Sequence, residues 1–410
     1  MINIFKIFPS EIELLKWQEQ HPSNGICQVN GHIHTPYSFS AFRNIPQAFE
    51  MARKEGIKIL GINDFYTTDG YNEFYENALK NKVFPLFNIE FMGLSKEQQK
   101  LGIRVNDPGN PGRTYFSGKG LTYPLSLGQD NLKVLSSVMQ QSQEQVMSMI
   151  SKANEHLQSI GSDIHLDYED ILKNYAKKQV RERHIAKVLR IKILEKYTQE
   201  EACKDFLKQL YSGKDTAVDI HNNNALENEL RSNLLKAGGK AFVPEDEKAF
   251  LSISQIKNLI IEAGGIPCYP VLLDDKNGKF TEFEADKKKM LSELIDMNIG
   301  CIELIPGRNS QAILKDFVMF FRENGFAVTF GTEHNSPELI PLTVDCRGHE
   351  PLDKDLQKIN YEGACIIAAH QYLKAQGKMG FLDENGNTRA AETENFIRLG
   401  KAVVNYFIYS

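Results

Sequence analysis

His32 and His34 stand one residue apart at the end of a short apolar run, Gly25–His34. Side chains alternate along an extended strand, so both imidazoles fall on one face and can reach a single ion. Carboxylates close other apolar runs in the same way: Asp64 ends Ile57–Asp64, Glu90 lies in Val83–Met92, and Glu333 with His334 follows Phe326–Phe330. Two imidazoles met by a carboxylate from another strand form a borderline site suited to Zn or Mn. Each feature also has a plainer reading. A lone His-x-His is more often a pair of packing histidines. A terminal Glu is more often a cap or an ion-pair partner, and Asp64 could cap the Tyr-Thr-Thr-Asp-Gly turn behind it. The set carries weight because four strand ends agree.

The elements that must deliver these residues alternate. Gly25–His34, Ile57–Asp64 and Val83–Met92 read as strands. Between them lie helices over Asn44–Glu55, with Asn44 as N-cap and Pro46 in the first turn, and over Tyr71–Lys80. Leu101–Thr122, rich in Gly, Pro and Asn, reads as a loop or hairpin. From Leu125 to Lys236 the β-runs vanish, and apolar residues recur at three- and four-residue spacing, which predicts a mainly helical insertion. The alternation returns with a helix over Ser252–Ala263 and strands at Ile266–Leu273, Cys301–Ile305 and Phe326–Phe330. Helices over 282–297 and 311–323 lie between those strands, and two more are expected at Tyr361–Ala375 and Glu392–Tyr406. Such alternation means βα units and a mostly parallel sheet. In a βα barrel the C-terminal strand ends converge on one mouth, where catalytic groups gather. Asn335-Ser336-Pro337-Glu338 reads as a helix start, capped by Ser336 with Pro337 in first position, which puts Glu333 and His334 at a strand–helix junction. Residues 1–124 are expected to form the first part of the barrel, 125–238 the helical insertion, and 239–410 the second part with the C-terminal helices.

The 410-residue chain balances 48 Lys+Arg against 53 Asp+Glu, a formal charge of −5, with 41% hydrophobic residues. These are the proportions of an ordinary globular chain, and they exclude a disordered, collagenous or disulfide-stapled one. The mild acidic excess argues against a wholly basic nucleic-acid binder. No run of about 18 apolar residues suggests a membrane span. Met1–Ser10 lacks the basic lead and cleavage site of a secretory signal. Six cysteines scattered singly fit reduced thiols and a cytoplasmic setting.

Several segments resemble one family. Gly31-His-Ile-His-Thr-Pro-Tyr-Ser38 resembles the opening motif of the polymerase-and-histidinol-phosphatase (PHP) family. Gly61-Ile-Asn-Asp-Phe65 is similar to its second motif, an Asp-His pair after an apolar strand, and Asn88-Ile-Glu90 to its third. Ala263-Gly-Gly-Ile-Pro-Cys-Tyr-Pro270 resembles a Gly-Gly-x-x-x-x-His-Pro segment, and Phe330-Gly-Thr-Glu-His334 a late Gly-Ser-Asp-x-His motif. Arg181-Glu-Arg-His-Ile-Ala186 looks like a Gly-Arg-Pro-His-x-Ala segment in the insertion of the nucleotide-phosphatase branch. The motifs keep the family order over residues 25–345. The resemblance implies a distorted (β/α)7-type, TIM-like barrel and metal-dependent phosphoester hydrolysis.

The departures narrow that expectation. Active members hold a trio of metals on His, Asp and Glu ligands. Here the acidic residue after the opening motif falls near Phe39 or Ser40, the His of the second motif is Phe65, and a His after the third falls near Tyr115. The His before Pro is Tyr269, and the late Asp appears as Glu333 or is displaced. By the resemblance, His32, His34, Glu90 and Glu333 could still hold one divalent ion rather than three: Zn or Mn first, with Mg or Fe as alternatives. Phenylalanine cannot bind a metal, and neutral Tyr is a weak ligand. With one ion, His334 or Asp64 is the candidate proton-transfer group. Tyr115 and Tyr269 could donate hydrogen bonds to substrate, or simply fill the vacated space as core.

Lys173–Lys196 carries nine Lys and Arg against Glu182 and Glu195. It reads either as a solvated helix face or as a phosphate-binding cover over the barrel mouth, with Arg183 and His184 pointing inward. The expected partner is a small phosphorylated molecule. A nucleic-acid surface ranks last, and a protein that binds a ligand or partner without turnover is the alternative. Arg308, Lys119 and the Asp345–His349 stretch are weaker candidates, and the oligomeric state is open.

Overall fold

The computed structural model describes residues 3–22 and 25–410, and seven of its strands form one sheet in chain order. They are β1 (Gln28–Ile33), β2 (Ile57–Phe65), β3 (Phe84–Leu94), β4 (Arg113–Lys119), β5 (Ile266–Val271), β6 (Cys301–Leu304) and β7 (Ala327–Phe330). β1, β2 and β3 are parallel, as are β5, β6 and β7. β4 runs antiparallel to both β3 and β5. The segment expected to be a loop or hairpin therefore supplies a barrel strand. Its Gly/Pro-rich 106–112 stretch makes the loop, and the β-branched and aromatic residues after it make the strand. Past β7 the ring nearly closes: Ile33 bridges Glu333 in parallel, and the His34 N–H donates to the Glu333 carbonyl at 2.6 Å. This is a distorted TIM-like barrel with one reversed strand.

Local chemistry sets the βα joints. The Asn44 side chain accepts from the Gln47 N–H, and Gly56, at φ 74°, ends that helix in the left-handed region. All eleven residues of β3 are buried, which is why the strand reads as a continuous apolar run. The helix Lys354–Ala375 lies against β7, and a Cβ on Gly363 would stand 1.9 Å from the Val328 carbonyl, so only glycine allows that approach. From the same helix Asn360 accepts from the Phe330 N–H at 2.8 Å and donates to the Val29 carbonyl at 3.2 Å, stitching β7 to β1. The helix starts at Lys354 rather than at Tyr361 because Asp353 caps it.

One sequence expectation fails locally. No helix follows His334, and 335–342 is irregular. Glu333 and His334 instead sit at φ 61° and 55°, two consecutive non-glycine residues in the left-handed region. Hydrogen bonds from Thr332 and Glu333 N–H to the His32 carbonyl, at 3.1 and 3.0 Å, hold them there. Asp163 and His165 lie in a loop, and Asp167 caps the helix Tyr168–Asn174.

Between β4 and β5 run the helices Gln129–Ser159, Tyr168–Asn174, Glu182–Lys196, Glu200–Leu210 and Asn223–Leu230. Val146, Ile150, Leu157, Ile185, Leu189, Ile193 and Leu226 belong to an apolar core separate from that of the barrel. Gln179 ties this region to the barrel mouth, donating to the carbonyls of Tyr37 at 3.1 Å and Phe65 at 2.8 Å. Among the described residues no helix is long and apolar enough to cross a membrane.

Candidate metal centre

The alternation of β1 puts His32 and His34 on the barrel's inner face, and β3 delivers Glu90 beside them. Glu90 Oε2 lies 3.0 Å from His34 Nε2 and 3.8 Å from His32 Nε2, and the two Nε2 atoms are 3.2 Å apart. One ligand atom from each residue falls within 4.8 Å of the others, and all three side chains are buried. A Cβ on Gly331 would stand 2.3 Å from His32 Cβ, so glycine there lets the end of β7 press His32 into place.

Hydrogen bonds on the far side of each ring decide which nitrogen carries the proton. Asp64 accepts from the Thr35 N–H at 2.7 Å, from the Thr35 hydroxyl and from the Ser38 hydroxyl at 2.6 Å. The Ser38 oxygen is then free to accept from His34 Nδ1, 3.1 Å away. His32 Nδ1 donates to Glu303 Oε2 at 2.9 Å. Burial pushes Glu303 up, but Lys119 and His32 outweigh it and hold the carboxylate well below its ordinary range. With both rings neutral, the two Nε2 atoms therefore present lone pairs to each other. The Asn63 amide nitrogen, 3.2 and 3.1 Å from the two nitrogens of His32, is equidistant from them and so lies along neither lone pair.

This arrangement is built for a cation. Glu90 Oε2 is buried and finds no hydrogen-bond donor, close as it is to His34 Nε2, because that nitrogen has no proton to give. Burial pushes the Glu90 carboxyl up to about 8, with His32 opposing. Burial also depresses His34, against the pull of Asp64. Two imidazole lone pairs and an orphaned carboxylate oxygen converging in a dry place fit a divalent ion whose ligands are oriented from behind by carboxylates.

Glu333 does not complete the set. Its carboxylate pairs with Arg308, and burial is outweighed by Arg308, His32 and His34, which hold its pKa below the ordinary carboxylate range. Its carboxylate nevertheless lines the cavity and acts electrostatically on His32, His34 and Glu90. Asp64 stands behind His34, its Oδ1 4.0 Å from His34 Nδ1, and does not line the cavity. His334 is a satisfied core histidine: Nδ1 meets the Thr332 hydroxyl at 2.7 Å, Nε2 meets the Ile340 carbonyl at 2.9 Å, and the ring stacks on Phe42. Burial pulls it down to about 4. Neither group expected to transfer protons reaches the cavity.

The cavity above the cluster measures about 660 Å³ and is lined by barrel and insertion residues. Tyr115 and Arg183 line it. Tyr269 does not; its hydroxyl donates to the buried Glu284 at 3.0 Å. His184 also turns away, accepting from the Arg181 N–H at 2.9 Å and packing edge-on to Phe39. In its stead Arg181 lies over Phe65 at 4.7 Å, and Phe65 stacks on His34 at 5.0 Å, so ring and guanidinium form a column over the metal ligand. Arg231 and Lys236 share Glu182 at the rim. Among the described residues no carboxylate pairs with Arg181 or Arg183, whereas Lys177, Arg190 and Lys196 are paired outside with Glu73, Glu227 and Asp163. Asp345 and His349 pair with each other, apart from the cavity lining.

Sequence reasoning missed Glu303, Asn63 and Ser117. The available signal was a single charged or polar residue at the centre of an apolar strand, as in Cys301-Ile-Glu-Leu304.

Comparison with known proteins agrees with this fold. A crystal structure from Bifidobacterium adolescentis, described as a candidate metal-dependent phosphoesterase, is similar with a TM-score of 0.50 at 15% identity, covering 82% of this chain and 96% of that one. An amidohydrolase structure from Chromobacterium violaceum, with bound sulfate and no metal, gives 0.49 at 14% identity over 81% and 96%. At 15% identity the first likeness concerns the fold alone. No curated protein matches the chain in sequence. Residues 30–223, which hold the two histidines, Glu90 and most of the insertion, match the PHP domain model.

Proposed function

We propose that the protein is a metal-dependent hydrolase of phosphoesters that works with one divalent cation on a small phosphorylated substrate. The observation that supports this reading is the His32–His34–Glu90 cluster at the floor of a cavity bearing two guanidinium groups without carboxylate partners. Two imidazoles and one carboxylate suit Zn or Mn better than Mg. Bound there, the cation would supply Lewis-acid polarisation of a phosphoryl oxygen and a lowered pKa for a water molecule. Arg181 and Arg183 then neutralise and orient the phosphate, each able to grip two oxygens. Tyr115 donates a hydrogen bond to the ester or its leaving group. Gln179 and the aromatic column of Phe65 keep the insertion closed over the site and limit water. The scattered reduced cysteines suit a cytoplasmic setting for this reaction.

A second reading has its own support. Asp64 and His334 both lie outside the cavity, and Phe65 occupies the flank of His34, so the pocket also suits a PHP-fold protein that holds metal and phosphate without turnover. The experiment is phosphate release from a panel of small phosphoesters by metal-stripped protein resupplied with Mn, Zn or Mg. Release that needs added metal and disappears in His34→Ala supports the hydrolase. Metal and phosphate binding with no release supports the second reading, and neither metal nor phosphate binding defeats both.

A further inference from the structure

Behind the cation cluster lies a buried ammonium for which the reading above gives no role. Lys119, on the reversed strand β4, is fully buried inside the barrel. Its Nζ donates to Glu303 Oε2 and, at 3.3 Å, to Asn63 Oδ1. From the same face of β4, the Ser117 hydroxyl donates to the other oxygen of Glu303. Glu303 and Asn63 are the two groups that touch the His32 ring from behind and beside it. A buried ion pair gains little over apolar packing of the same volume, so stability alone does not account for this one.

Donor bookkeeping supplies a role. Lysine can only donate. Its contact with Glu303 leaves that carboxylate as an acceptor toward His32, so in the neutral imidazole Nδ1 carries the proton and Nε2 is left bare. Its contact with the Asn63 oxygen turns the amide nitrogen toward the ring, where it meets His32 and the Ser117 oxygen at 3.3 Å. We infer that Lys119 is a positioning residue of the cation site: through Glu303 and Asn63 it fixes the tautomer and orientation of His32, without itself touching a ligand atom of the ion. The inference rests on the cation cluster of the proposed function. It also gives the reversed strand a use inside the barrel, since Ser117 and Lys119 reach Glu303 from the wall opposite β1.

The test combines the tautomer with metal affinity. In metal-free wild type labelled with ¹⁵N-histidine, long-range ¹H–¹⁵N NMR is expected to show His32 protonated on Nδ1; protonation on Nε2 overturns the inference. Titration of Mn alone by calorimetry is expected to show binding 10–100-fold weaker in Lys119→Met, the usual loss for an outer partner of a metal-bound histidine. Because Lys119→Met leaves Glu303 buried without its cation, the doubly neutral Lys119→Met/Glu303→Gln variant is measured beside it. That variant regains folding stability and still binds Mn 10–100-fold more weakly, since the introduced amide can face His32 as donor or acceptor. Wild-type affinity in the stable double variant overturns the inference and leaves the pair a packing device. If wild type takes up no metal, the cation reading fails, and the tautomer measurement still decides the role of Lys119.

Discussion

Glu90→Gln is expected to stabilise the metal-free protein and to abolish its stabilisation by metal. In the metal-free fold Glu90 Oε2 is buried without a donor, beside the bare Nε2 of His34. Burial raises this carboxyl from 4.5 to about 8. A raised acid contributes full stability below the unfolded value of 4.5 and loses it as pH climbs through 8. Each tenfold change in acidity is worth about 1.4 kcal/mol, so at pH 8 the wild type carries a penalty on the order of 4 kcal/mol. Glutamine removes that penalty and brings an N–H that His34 Nε2 can accept. An unfolding entropy of about 2.1 cal/mol/K per residue, over 410 residues, converts this to a rise in melting temperature of about 4–5 °C. Thermal unfolding at pH 8 in EDTA, and then with excess Mn, is the assay. Wild type is expected to melt lower than Glu90→Gln in EDTA and to gain far more from Mn, since stabilisation follows ligand affinity. A variant that melts below wild type in EDTA, or gains equally from Mn, refutes the claim that Glu90 is held in readiness for a cation.

Three further outcomes follow from the same geometry. Gly331→Ala sets a Cβ 2.3 Å from that of His32; it is expected to cost about 1–3 kcal/mol by overpacking and to weaken Mn binding, read by urea unfolding and calorimetry. Arg181→Ala and Arg183→Ala should each weaken binding of inorganic phosphate to the Mn-loaded protein by about tenfold, the equivalent of one charge-assisted contact, with little change in melting temperature, because neither pairs with a carboxylate. His370, buried and bonded to the Gly264 carbonyl and the Phe381 N–H, is pulled down to about 4 by burial. A depressed imidazole contributes stability present above 6.5 and lost as pH falls toward 4. The penalty of His370→Gln in urea unfolding should therefore shrink by roughly 2.5 kcal/mol between about pH 7 and pH 4.5.

Much of the barrel was legible because its signals are local. The βα joints announce themselves through Asn44, Pro46 and Gly56, and the parallel strands through unbroken apolar runs. β4 was not, because an antiparallel strand behind a Gly/Pro-rich loop looks like a hairpin in one dimension. The His32–His34 pair and Glu90 were legible from period-two geometry and strand ends. The partition of roles among the remaining polar residues was not, since it depends on rotation about bonds the sequence does not reveal. Glu333 turns its carboxylate to Arg308, His334 spends both nitrogens on its own loop, and Tyr269 finds Glu284. Arg181 rather than His184 faces the cavity because His184 Nδ1 closes the N-terminus of its own helix. Lys119 and Glu303 needed the barrel to close before two strands distant in sequence could meet.

The account turns on how many cations the chain holds and where. Metal content of purified protein, with anomalous diffraction locating the ion, measures this directly. We expect one ion per chain, bound by His32 Nε2, His34 Nε2 and a Glu90 oxygen, with Glu333 still on Arg308. Two or three ions, an ion elsewhere, or a cluster that stays empty in saturating Zn and Mn would contradict it.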